Sequence, residues 1–430
     1  MLNLYNTRTR RVEPFEPQGD VVTLYVCGIT PYDTTHVGHA FTYTTADILV
    51  RYLEFRGRAV RYVQNVTDID DDILKKAKEM GDDWRQVGNR WTAHFIEDMK
   101  VLNVRPPDYF PRATDVIAEI IESVQALLDA SVAYVSGGNV YFDVDAWPDF
   151  GQLSQLPRDQ MLPVANERGN NPDDPHKSDP LDFVLWQARA EGEPAWESPW
   201  GWGRPGWHIE CSTMATHFLG QSVDIHSGGA DLLFPHHECE IAQVEPVRNP
   251  GCRRRPFVRT WLHVAMVYHE GDKMSKSLGN LVMVRDLLET WSPDALRIYL
   301  ARHHYRRAWA HNDDELAQAQ AVAQLIRDAE GRPATNDRRP SPVARRLSPI
   351  ARWEAAFIEA MDNDLDTATA LDVLAELAQE IRQAANEGQD IAPAQAMLRR
   401  MAHVFGLRLD EAAETPVIEG WNEHLRRFDG

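Results

Sequence analysis

Cysteine is scarce in this sequence: Cys27, Cys211, Cys239 and Cys252 are the only four among 430 residues. Thiols so few and so scattered exclude a disulfide-stapled scaffold and leave them available for metal binding or chemistry. Long apolar runs are missing as well. No stretch reaches the roughly 18 residues that a membrane span needs, and Met1 to Tyr5 lacks the basic-then-apolar opening of a secretory leader. The expectation is a soluble, cytoplasmic chain with no membrane partner. Positive charge is in deficit, with 45 Lys and Arg against 65 Asp and Glu and a net charge of −20. That balance argues against coating nucleic acid by counterion release, although a local basic patch can still bind phosphates. Repeats and low-complexity tracts are absent too. What remains, 43% hydrophobic and 26% charged, is the composition of a globular protein with room for two or three cored domains.

Patterning along the chain gives an α/β fold. Val21 to Cys27 reads as a strand, Gly38 to Phe55 as a helix and Ala59 to Val66 as the next strand, a βαβ unit. Ala113 to Ala130 has helical spacing, and Ala133 to Val144 alternates around Gly137 and Gly138 as a hairpin does. Pro and Asp cluster from Asn170 to Pro180, which suggests an insertion within the sheet domain. Further α/β elements run from Gly206 to Val267, including a strand at Ser222 to Ser227. Beyond Trp291 the pattern turns helical, with amphipathic stretches at Pro349 to Met361, Ala368 to Asn386 and Pro393 to Phe405. The expected architecture is a Rossmann-like parallel-sheet catalytic domain with an insertion, followed by an α-helical bundle.

Two motifs point to phosphate chemistry. His36-Val37-Gly38-His39 follows the first strand, where the carboxyl edge of a parallel sheet and a helix N-terminus receive anions. Its two imidazoles can reach one phosphate chain, and Gly38 permits close backbone approach. Surface histidines are the plain alternative. Far downstream, Lys273-Met274-Ser275-Lys276-Ser277 stands between Gly271 and Gly279 and offers two ammonium groups and two hydroxyls to a triphosphate; a solvated loop is the alternative there. In type, order and separation the pair resembles the class I aminoacyl-tRNA synthetases. The resemblance implies that His36, His39, Lys273 and Lys276 stabilise in-line attack of a carboxylate on the α-phosphate of ATP, with Mg2+ held mainly by the phosphates.

A metal site is a second candidate. Cys27 ends the first strand, Cys211 follows Gly206 to Glu210, and His236 and Glu240 stand four apart, as on one helix face. Buried cysteines also serve as small apolar residues, and a His and Glu at that spacing also form solvated pairs, so spacing leaves both readings open. Cys239 is a competing ligand to Glu240, and Cys252, among Arg253 to Arg255, is not expected to bind metal.

Four stretches carry a closer resemblance, to the cysteinyl-tRNA synthetases: Tyr25 to Thr30, Asn65 to Asp71, Gly203 to Ser212 and Asp231 to Glu238. The likeness extends to about Tyr305. It implies one Zn2+ per chain on Cys27, Cys211, His236 and Glu240, with the thiolate of L-cysteine bound to that ion; serine, with its hard hydroxyl, is a poorer ligand. It further implies a pocket of Cys27, Thr67, Trp207 and His226, and ATP contacts at Gly28, Thr30, Gly38, Gly229, Asp231 and Lys276. The expected domains are 1–112 and 206–267 as the two halves of the catalytic domain, 113–205 as a connective insertion, and 268–330 as the lysine loop and stem-contact helices. A linker at 331–342, a helical bundle at 343–408 and a short acidic tail at 409–430 complete the layout.

The acceptor of the activated cysteine is read as tRNA(Cys). Glu240 to Gln243 and Lys276 to Asn280 have the synthetase form, and Arg253 to Arg255, Arg306 and Arg307 are candidate acceptor-stem contacts. The alternative is the amine of glucosaminyl-inositol, as in the mycothiol-pathway ligases. Thr30 to Asp33, Phe41 where the synthetases have arginine, and Glu167 to Asp182 resemble that group, and the tail is unlike the usual anticodon-reading module. A non-catalytic paralogue that binds cysteine or RNA is the third reading, and a monomer is expected.

Overall fold

A computed structural model describes the chain except for residues 34, 249–255, 275–278, 334–348, 410–415 and 429–430. Four strands form a wholly parallel sheet in the spatial order Val258–Val264, Val223–Gly229, Val21–Ile29, Ala59–Val66. Val21–Ile29 is central and covered on both faces, which is why VVTLYVCGI is nearly all apolar rather than alternating. Beyond Ala59–Val66, residues 109–112 add to the edge through parallel bridges Val63 to Tyr109 and Val66 to Arg112. Pro106, Pro107 and Pro111 bring no N–H groups to this stretch, as suits the last strand of a sheet.

The sheet separates two cores. On one face the helix Val37–Phe55 packs with Pro293–Ala301 and with the helices Asp313–Glu330, Ile350–Asp362, Thr367–Asn386 and Ala392–Val404, sharing buried Leu49, Leu296, Leu374 and Leu398. On the other face the helix Trp207–Leu219 and the insertion share Ile120, Phe142, Trp186 and Met214. The insertion carries the helix Ile117–Asp129 and an antiparallel sheet of Ala133–Ser136, Asn139–Phe142, Phe183–Ala188 and Gly203–Pro205. Its first turn, Gly137-Gly138, has φ of +60° and +84°, the left-handed pair that a two-residue hairpin requires. The expected linker falls largely outside the described residues. Among the described residues, no helix is long and apolar enough to cross a membrane.

An ion cluster locks the sheet domain to the bundle. The Asp47 carboxylate accepts from Arg51 Nε at 2.9 Å and from the Arg297 guanidinium, and all three side chains are buried. Burial alone would raise the Asp47 carboxyl, yet the two arginines together hold it below its ordinary value.

The tail differs from the expectation. Residues Pro416–Leu425 form a helix whose Trp421 is fully buried against the catalytic domain. The acidic composition of 409–430 hid three apolar anchors, Trp421, Leu425 and Phe428, which join the main core.

Candidate active site

The carboxyl ends of the parallel strands bring the predicted residues to one place. Cys27 ends one strand, Thr67 follows Ala59–Val66, and His226 lies within Val223–Gly229. Trp207 and Cys211 come from the first turns of Trp207–Leu219, and Glu240 from the helix Glu238–Val244. His236 sits in the helical turn Leu233–His237, which is kinked at the extended Phe234 and then runs directly into that helix. His236 Nε2 lies 3.2 Å from Glu240 Oε1, as their spacing of four suggested.

Ligand atoms of Cys27, Cys211, His236 and Glu240 all lie within 4.8 Å of one another, and all four residues are buried. Cys27, His226, His237 and Glu240 form a second, overlapping group. Cys239 is buried, but among the described residues it belongs to neither group. Burial pushes the Glu240 carboxyl and the Cys27 thiol well up and the His236 imidazole well down. Two thiols, an imidazole and a carboxylate in so dry a place fit a borderline-soft divalent ion, whose charge would offset the cost of burying the anionic forms.

Histidines that sequence reasoning passed over surround this set. His208 Nδ1 lies 2.9 Å from His236 Nδ1, and His237 Nδ1 lies 2.8 Å from His263 Nε2. His263 Nδ1 in turn meets Thr7 Oγ1 at 2.8 Å, and burial holds His263 down to about 3. His226 Nε2 lies 2.9 Å from Glu240 Oε2. Such outer partners fix ring orientation and tautomer. The sequence signal was their number in apolar surroundings, since a helix, a helical turn and a strand from distant segments bring His208, His237 and His263 together. Trp207 stacks on the His236 ring at 4.4 Å between centroids, which sets it beside the cluster. Glu238 points elsewhere and accepts from the Leu153 and Ser154 amides of the insertion.

The phosphate motifs also converge. Val37 N donates to Val282 O at 2.9 Å and Val284 N to Thr35 O at 3.0 Å, joining the start of the histidine helix to the strand leaving the lysine loop. His36 caps that helix by accepting from Gly38 N at 3.0 Å, and its ring stacks on His39 at 3.9 Å. A Cβ on Gly38 would lie 2.8 Å from the His36 ring and 3.9 Å from Met274 Cε, so the glycine makes room for the imidazole. Lys273 lies in the short strand Asp272–Lys273, paired with Val267–His269; Lys276 lies outside the described residues.

Gly28 has a packing reason of its own. A Cβ there would stand 1.6 Å from Asn65 O, and Gly28 N donates to Asn65 Oδ1 at 2.8 Å. Asn65 Nδ2 donates to Thr67 Oγ1 at 3.2 Å, so one amide side chain ties Gly28 to Thr67. Thr30 is half-buried just past the same strand; Gly229 starts the short turn Ala230–Leu232, where Asp231 is half-buried. Of the candidate acceptor contacts, Arg306 is engaged with Asp364 at 2.6 Å and lies over the Tyr5 ring, Arg307 is exposed, and Arg253 to Arg255 lie outside the described residues.

Comparison with known proteins agrees with this arrangement. Residues 14–321 match the family model of the tRNA synthetases class I (C) catalytic domain, and residues 356–410 match the DALR domain. A cysteine–tRNA ligase of Dehalococcoides mccartyi is 40% identical over 409 residues, 95% of this chain and 87% of the relative. One from Escherichia coli K12 is 43% identical over 412 residues, 95% of this chain and 85% of the relative, and one from Thermococcus onnurineus is 40% identical over 423. Among solved structures, Mycobacterium tuberculosis methionyl-tRNA synthetase with methionyl-adenylate superposes with a TM-score of 0.63 at 16% identity, covering 95% of this chain and 93% of that one. With its catalytic-domain match, its DALR domain and relatives at 40 to 43% identity across nearly its whole length, the chain belongs to the cysteine–tRNA ligases, a class I aminoacyl-tRNA synthetase family.

Proposed function

We propose that this protein condenses L-cysteine with ATP to cysteinyl adenylate and pyrophosphate and transfers the cysteinyl group to tRNA(Cys). The observation that supports the reading is the backbone joining of Thr35–Val37 to Val282–Val284, which brings the histidine motif to the segment that follows the lysine motif, together with the existence of the buried donor set. Each relative named above is a cysteine–tRNA ligase, so the tRNA reading is preferred to the amino-sugar one.

Cys27, Cys211, His236 and Glu240 would hold a zinc ion, with His208 and His226 orienting His236 and Glu240. Zinc supplies, when bound, a soft Lewis-acid contact for the substrate thiolate that serine matches poorly. Trp207, Thr67 and His226 would line the small amino-acid pocket. Gly28, Thr30 and Gly38 keep the backbone close to the nucleotide, and Gly229 and Asp231 meet the adenosine. The cysteine carboxylate attacks the α-phosphate in line; His36 and His39 donate to phosphate oxygens as charge builds toward pyrophosphate release. Lys273 and Lys276 neutralise the same charge, with Mg2+ carried on the phosphates. An acceptor hydroxyl of tRNA then attacks the carbonyl and releases AMP. Arg302, Arg306 and Arg307, with Trp309, line an open cleft of about 480 Å3 beside Asp364 and Asp366, and these arginines are the candidate contacts for the tRNA backbone.

Cysteine-dependent exchange between ATP and pyrophosphate, measured beside serine, tests the first half. The second half needs tRNA(Cys) and glucosaminyl-inositol supplied separately: cysteinyl-tRNA should form and the amino-sugar conjugate should not. Exchange that serine supports equally, or conjugate formation without tRNA charging, would overturn the reading.

A further inference from the structure

The helix Pro416–Leu425 and the residues just past it find their main target in residues 104–115, and Trp421 also meets Phe95 of the helix Trp84–Val101 edge-on at 6.2 Å. Trp421 Nε1 donates to Val104 O at 2.7 Å, and the Trp421 ring meets Phe110 edge-on at 5.6 Å. His424 Nε2 lies 2.9 Å from Pro107 O, and a Cβ on Gly420 would lie 2.6 Å from Pro106. Arg427 pairs with Asp115 at 2.9 Å, and Arg112 lies over the Phe428 ring at 4.0 Å. The target segment does more than border the sheet. Gln64 N donates to Tyr109 O at 3.1 Å and Val66 N to Pro111 O at 2.8 Å, so it pairs with the outer side of the Ala59–Val66 strand, whose inner side pairs with Val21–Ile29. At its far end Thr114 donates from N and Oγ1 to both oxygens of Asp68, at 3.0 and 2.5 Å. Asp68 is the neighbour of Thr67, which Asn65 links to Gly28.

We propose that this C-terminal helix clamps the sheet edge so that Thr67 holds the shape of the amino-acid pocket, making Trp421 and Thr114 positioning residues for cysteine. The proposal rests on the reading of Thr67 as a pocket wall. Strand order makes the effect selective: Ala59–Val66 adjoins the clamp, whereas the Gly229 and Asp231 strand lies two places further across the sheet. An edge cover with no link to the pocket would instead act on the fold alone.

Full-length Trp421→Ala, Trp421→Phe, Thr114→Val and the Trp421→Ala/Thr114→Val double variant are compared in cysteine-dependent ATP–pyrophosphate exchange. Trp421→Ala and Thr114→Val should each raise the KM for cysteine about tenfold, within what coupling along a packed network gives, with the KM for ATP changed less than about twofold. Trp421→Phe should retain most of the wild-type value. The double variant should be no worse than the weaker-binding single one, because both break one path. An unchanged cysteine KM in either folded variant, equal rises for both substrates, or additive losses would overturn the clamp. Should Trp421→Ala fail to fold, Arg427→Ala replaces it under the same criteria. If the wild-type chain shows no cysteine-dependent exchange, the functional reading fails by itself. The clamp is then judged by amide exchange at residues 62–68, which must quicken in Trp421→Ala; unchanged protection there refutes it.

Discussion

Replacing Glu240 with alanine separates metal binding from packing. Its carboxylate contributes one donor to the four-residue set, and its other oxygen is the partner of fully buried His226. Loss of outer partners alone typically costs ten- to a hundredfold in metal affinity, so removing a direct donor should weaken zinc binding by about a hundredfold or more, roughly 2.7 kcal/mol. Stranding His226 Nε2 in a dry site should cost a further ~1–3 kcal/mol of stability in the metal-free protein. Cys239→Ser provides the contrast. It places a hydroxyl in the apolar cluster around Ile241 and Ala242, with a stability loss of similar size, about 1–3 kcal/mol, yet leaves all four donors intact. Competition against a chromophoric chelator gives the zinc affinity, and urea unfolding of the chelated protein gives the stability. Two variants of comparable stability should therefore differ by about two orders of magnitude in zinc affinity. Equal zinc affinities, or a larger loss in Cys239→Ser, would refute the assignment of Glu240.

Asp47→Ala leaves Arg51 and Arg297 buried without their shared anion and should destabilise by about 3–5 kcal/mol in urea unfolding. Because the folded Asp47 carboxyl lies below its unfolded value, its contribution is complete above about pH 4 and is lost as pH falls through the folded pKa; Asp47→Asn should flatten this acid limb of the stability profile. Gly38→Ala forces the His36 ring out of its stack on His39, so kcat for pyrophosphate exchange should drop by about ten- to a hundredfold while circular dichroism stays native. Gly28→Ala drives a methyl into Asn65 O and should yield mainly insoluble chain, in contrast to Gly38→Ala, as fractionation of expressed protein would show.

The sequence alone determined those parts whose physics is local. Seven apolar residues among the nine of Val21–Ile29 specify a buried parallel strand, helical periodicity specifies the C-terminal helices, and the glycine pair at 137 and 138 specifies a tight hairpin. Cys27, Cys211, His236 and either Glu240 or Cys239 stood out as a candidate donor set because few residue types supply metal-binding atoms. Only the tertiary structure showed Glu240, not Cys239, beside the other donors, since residues adjacent on a helix point about 100° apart. It alone assembled His208, His237 and His263 around the site, joined the histidine and lysine motifs through Val282–Val284, and committed Arg306 to Asp364. The tail is the clearest case. Its acidic residues dominate the composition, but burial is decided by what each side chain meets, and the surface that buries Trp421 lies more than 300 residues away in the chain.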